Sequence, residues 1–69
     1  MFKVRTKYKH NNNTDVAMEV QKVLGNTDDG ISLLVSWWNI KSKIQHKIVR
    51  YQAVVIKNVE IMNWLPLMS

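Results

Sequence analysis

No cysteine occurs in the sequence, so disulfides and thiolate-bound metals are excluded as means of holding the fold. Histidine is almost as scarce. His10 and His46 are the only imidazoles and lie far apart in the chain, so a zinc site would need carboxylates gathered by the fold. No metal and no cofactor is expected. Acids are few, with five against ten lysines and arginines. There is one proline and there are two glycines, too few for a linker or a low-complexity segment. No apolar run approaches the ~18 residues of a membrane-spanning helix. The opening Met-Phe-Lys-Val-Arg-Thr-Lys has no apolar stretch like that of a secretory leader. A soluble, cytoplasmic protein without membrane contact is expected.

Catalytic patterns are missing too. GxSxG, the P-loop and HExxH do not occur, and those spacings carry the usual nucleophile, phosphate-cradle and metalloprotease chemistry. Asp28 and Asp29 are adjacent and fall in a turn composition, where turn formation explains them better than acid–base pairing. His46 sits in a basic loop with no acid or nucleophile to serve. The reading is a non-enzymatic protein.

Sixty-nine residues make one domain, 1–69. A chain of this length buries only about 60% of its unfolded surface, so its core is thin. Three tryptophans and four methionines suggest that some large apolar side chains are covered by a second copy or a partner.

The chain is organised around residues 31–40, Ile-Ser-Leu-Leu-Val-Ser-Trp-Trp-Asn-Ile. Side chains alternate across a strand. Ile31, Leu33, Val35 and Trp37 give one uniformly apolar face, expected to be core. Ser32, Leu34, Ser36, Trp38 and Ile40 give a mixed face. On it Leu34, Trp38 and Ile40 form a strip suited to a protein interface.

Residues 2–10 alternate as well, with Phe2, Val4, Thr6 and Tyr8 on one side and Lys3, Arg5, Lys7 and Lys9 on the other. That predicts one strand through 2–10. Residues 11–15 are a polar break. Residues 16–24 read in two ways. A strand fits the valines. A helix fits Val16, Val20, Val23 and Leu24, with Thr14 or Asp15 as its cap and Gly25 as its stop. The strand is preferred.

Residues 25–30 are a turn, the tip of a hairpin if both flanks are strands. A basic loop follows at 41–47. Residues 48–57 read as a strand whose better core face is Val49, Tyr51, Ala53 and Val55, opposite Arg50, Gln52, Val54 and Ile56. Asn58 suits a cap for a short turn at 59–62, with Glu60 in its first turn. Trp64, Leu65, Pro66 and Leu67 read as an apolar edge segment that, with Met62 and Met68, closes one end.

Four strands, a helical turn and a last short strand resemble SH3-like small barrels in element order. The expected class is therefore all-β, a small antiparallel barrel or meander of about five strands. The alternative is α+β, with a helix at 16–24 on a three-stranded antiparallel sheet.

Charge is unevenly spread: +4 over residues 1–10, −3 over 11–36, +5 over 37–58 and −1 from Glu60, giving +5. That asymmetry favours an anionic partner. Lys3, Arg5, Lys7 and Lys9, widened by Lys41, Lys43, Lys47 and Arg50, would follow a run of phosphates, with Trp38 or Tyr8 stacking on a base. Lysines on an edge strand also prevent edge-to-edge pairing. The leading expectation is a small basic binding protein that holds nucleic acid or a nucleotide on a cationic β-face. One alternative is an inhibitor of a host protein acting through Leu34, Trp38 and Ile40. The other is a structural subunit that forms a homo-oligomer through the same strip. The richness in Asn, Lys and Ile is a bias of AT-rich genomes, many phages among them, in which case the host cytoplasm is the compartment.

Overall fold

The computed structural model describes residues 2–13, 15–41 and 45–67. Lys43, Met68 and Thr14 therefore lie outside the described residues. Five antiparallel strands form one sheet: β1 (Lys7–His10), β2 (Val16–Asn26), β3 (Gly30–Asn39), β4 (His46–Lys57) and β5 (Trp64–Pro66). A single 3-10 turn, η1 (Asn58–Asn63), lies between β4 and β5. The strand order is β4-β3-β2-β1-β5. Four strands thus form a meander and the fifth returns to the far side of β1. The element order is the expected all-β one, but the sheet does not close into a barrel, because β4 and β5 each have a neighbour on one side only. Among the described residues no helix is long and apolar enough to cross a membrane.

Residues 16–24 are strand, so the helical alternative is set aside. Val20 and Met18 find apolar cross-strand partners, Val35 and Trp37. Such pairs stabilise a sheet more than a nine-residue helix could gain in water. At the tip, Thr27 and Gly30 exchange backbone hydrogen bonds of 2.7 and 3.3 Å, leaving Asp28 and Asp29 at the corners. Gly30 is fixed by crowding, since a Cβ there would overlap the carbonyl oxygen of Ile56.

The core lies on one face of the sheet. Phe2, Tyr8, Met18, Val20, Leu33, Val35 and Ile56 form it, with Ile31, Trp37, Val54, Ile61 and Trp64 packed against it. The apolar face read from 31–40 is thus the core face of β3. Each fully buried side chain of this kind stabilises by about 1.5–3 kcal/mol.

Three local expectations are corrected. First, 2–10 is not one strand. Thr6 N–H donates to the Lys3 carbonyl across a turn, and Arg5 has φ 67°. Chain reversal brings Phe2 edge-on to Tyr8, with ring centres 5.0 Å apart, and leaves Val4 outside at 50% exposure. Burying a phenylalanine gains roughly 2–3 kcal/mol, which outweighs the ~1–2 kcal/mol of one left-handed residue.

Second, the core face of β4 is not the one with more apolar residues. Val54 and Ile56 lie opposite Leu33 and Ile31, whereas Tyr51 and Val55 are 59% and 54% exposed. Register irregularities in the pairing of 35–38 with β4 add residues on β4, and a single added residue exchanges the faces of all that follows.

Third, Asn58 makes no side-chain cap. It is tied to the hairpin tip instead, donating from its backbone to the Asp29 carbonyl at 2.7 Å and from its side chain to that of Asp28 at 3.3 Å. At the C-terminal end Trp64 packs on the core as expected, but Met62 and Leu65 are 82% and 46% exposed.

Candidate nucleic-acid interface

The second face of the sheet is where cations meet. In one row across the strands, Lys9 on β1 lies opposite Ala17 on β2, Ala17 opposite Trp38 on β3, and Trp38 opposite Lys47 on β4. In the next row Lys7 lies opposite Glu19 and Glu19 opposite Ser36. Ala17 is small and fully buried, which leaves room for longer neighbours to lean across it. Lys7 does so, with its Nζ 4.2 Å from the centre of the Trp38 ring system. Lys47 Nζ is 5.2 Å from it. Both lie within the ~6 Å range in which an ammonium is attracted to the indole quadrupole.

Beneath this surface a polar chain fixes the indole. Trp38 Nε1 donates to Ser36 Oγ at 3.1 Å, Gln21 Nε2 donates to the same oxygen at 3.0 Å, and Ser36 Oγ donates to Glu19 Oε1 at 3.4 Å. One donor and two lone pairs of the hydroxyl are thereby used, as full burial of Ser36 demands. Gln21 Nε2 also donates to Glu19 Oε1 at 2.9 Å. The carboxylate nearest the lysines is therefore engaged by uncharged donors. Among the described residues no lysine or arginine forms an ion pair; the one charged contact is His10 with Glu60.

The predicted cations do not all assemble. Lys7, Lys9 and Lys47 share the Trp38 row and the one beside it. Lys41 follows β3 and is exposed. Arg50 is on β4, within the irregular register. Arg5 is at the turn, and Lys3 lines a groove on the core side with Phe2, Tyr8, Ile61 and Trp64. The four-cation ladder of 2–9 is thus reduced to a pair. Tyr8 is 4% exposed, which withdraws it as a stacking surface. Leu34 and Trp38 share the lysine face and Ile40 follows the end of β3; all three are half-buried.

Two features escaped the sequence reading. The Glu19, Gln21 and Ser36 support gave only a weak signal, serine two positions before tryptophan in an apolar run. The outward apolar side chains of β4 gave none. Among the described residues no three metal-ligating side chains converge.

At the other end of β1, His10 Nδ1 accepts from the Asn12 backbone N–H at 3.1 Å. Neutral His10 must then carry its proton on Nε2, facing Glu60 Oε2 at 3.0 Å. Asn63 Nδ2 donates to the same oxygen at 2.9 Å. Hydrogen bonds from Asn63 and then His10 hold the Glu60 carboxyl below its ordinary pKa.

No protein family, curated protein or solved structure matches the chain in sequence or structure comparisons.

Proposed function

We propose that this protein is a non-enzymatic binding domain that holds nucleic acid on the face built by Lys7, Lys9, Trp38 and Lys47. The observation that carries the reading is the pair of ammonium groups 4.2 and 5.2 Å from one half-buried indole, unpaired with any carboxylate among the described residues. Such groups lose little on meeting phosphates, because no ion pair has to be broken first. Each phosphate neutralised on a single strand contributes about −0.7 to the slope of log K against log salt. When Lys7 and Lys47 turn from the ring to phosphates, the indole, held through Nε1, is uncovered for an unpaired base, and stacking of this kind adds about 1–3 kcal/mol per base. Single strands are favoured over duplex for that reason.

The test is titration of a labelled oligo-dT of twelve nucleotides by anisotropy at two salt concentrations. Wild-type protein should bind more weakly at the higher salt. The triple variant Lys7→Gln, Lys9→Gln, Lys47→Gln should lose roughly 50-fold at 0.15 M salt and lower the slope by about 2, the counterion value for three phosphates. Absence of binding by the wild type at low salt, or unchanged affinity in the triple variant with circular dichroism intact, would refute the proposal.

A further inference from the structure

Among the described residues the outer edge of β4 has no strand beside it. This strand runs for twelve residues and, among the described residues, pairs only with β3. Over 52–57 its register with 30–35 is regular, one residue to one, so its far side offers an even row of backbone donors and acceptors over about 20 Å. Proteins usually shorten, cover or break such an edge. Here it also carries exposed apolar side chains, Ile48, Val49, Tyr51 and Val55, between 40% and 59% accessible.

The charge on the strand narrows the occupant. Lys47, Arg50 and Lys57 are its only formal charges, without one acid. A second copy pairing antiparallel through β4 would place six cations along one two-stranded seam, and like charges opposite one another destabilise it. An acidic strand meets the same edge with complementary charge.

We infer that the β4 edge takes an extended acidic segment of a partner protein as a sixth strand. Backbone hydrogen bonds along 52–57 give the affinity. Tyr51 and Val55 cover the apolar side chains on one side of the partner strand, and carboxylates on its other side lie against Arg50. Strand addition of this kind reads the backbone first and side chains second. The contacts proposed here lie along 50–57 and leave out Lys47, the β4 residue that belongs to the Trp38 row, so loss of one activity need not remove the other.

The experiment uses the whole chain and three ten-residue peptides of alternating glutamate and valine: the parent, a version N-methylated at alternate backbone nitrogens, and one with lysine for glutamate. In about 0.15 M salt, near the physiological screening regime, the parent should bind and slow amide exchange within 52–57. N-methylation should weaken it at least about tenfold, as loss of two or three edge hydrogen bonds requires, and the lysine version should not bind. Val55→Glu should weaken the parent peptide while leaving oligo-dT affinity within about twofold, since this exposed position contacts no phosphate in the proposal. Equal binding of the methylated peptide, amide perturbation centred on Lys7 and Lys47, or light scattering showing twice the 8.1 kDa chain mass without peptide would each overturn the inference.

Discussion

Lys7 reaches past its cross-strand neighbour Glu19 and places its ammonium 4.2 Å from the centre of the Trp38 ring system. Glu19 meanwhile accepts from Gln21 and Ser36. The sheet thus keeps a cation and a carboxylate in facing positions without pairing them.

If Lys7 serves a phosphate, Lys7→Gln should lower oligo-dT affinity about fourfold at 0.15 M salt, the value for one single-strand phosphate. Lys57→Gln, ten residues along β4 from Lys47, should have less than half that effect. Folding stability should fall by no more than about 1 kcal/mol, the worth of an accessible cation–π contact. Anisotropy titrations and urea melts check both.

The register of β4 can be tested by a pair of substitutions. Ile56→Ala should destabilise by about 2–5 kcal/mol, the cost of emptying a buried aliphatic site. Val55→Thr, next to it but outward, should change stability by about 0.5 kcal/mol or less. The reverse order in chemical denaturation would show that the odd-numbered face packs inward.

Arg5 occupies a backbone region that costs a non-glycine residue about 1–2 kcal/mol. Glycine relieves that and loses about 0.5–1 kcal/mol to its freer unfolded chain. Arg5→Gly should therefore stabilise slightly, by up to about 1 kcal/mol, and Arg5→Val should destabilise by more than that. Thermal melts of the two variants would reveal the turn, since a continuous strand through this position would favour valine.

Glu60 sets an acid-side dependence. Its folded pKa lies below the ordinary value because Asn63 and His10 donate to it. In mildly acid solution the unfolded chain therefore binds more protons at this site, and stability rises with pH. The contribution is present above the unfolded glutamate pKa and disappears as pH falls through the folded one. Glu60→Gln should flatten the melting temperature against pH in that window and leave the slope above neutrality unchanged. Melts at closely spaced acid pH values measure it. An identical acid slope in both proteins would mean that the carboxylate gains nothing from its partners.

The strand content was legible because alternation is a direct image of the pleat. In 31–40 and 16–20 the residues of one alternating set, Leu33, Val35, Met18 and Val20, are the ones that form the core. What alternation could not show is where the alternation is interrupted. Residues 2–10 carry a perfect pattern, yet the turn at Val4 and Arg5 depends on how far Phe2 must travel to reach the core. That distance is tertiary. In β4 the apolar count favoured Tyr51 and Val55, and the irregular register beside Trp37 and Trp38 reversed it. Such irregularities involve two strands at once and leave no trace in either alone. The cation cluster was legible in part for the same reason. Lys7 and Lys9 are two apart on one strand, but Lys47 joins them only through strand order, and Ser36 beneath the indole matters only once its burial is known.

An open sheet whose bare margin is guarded by charge alone has an unusual handling profile. Basic proteins are commonly stored in strong salt to suppress clumping. Here strong salt would shorten the screening distance to about 3 Å at 1 M and strip the guard from an apolar, hydrogen-bond-hungry rim. Turbidity and fibril-dye fluorescence should rise with ionic strength, so dilute buffer is the safer keeping condition for this molecule.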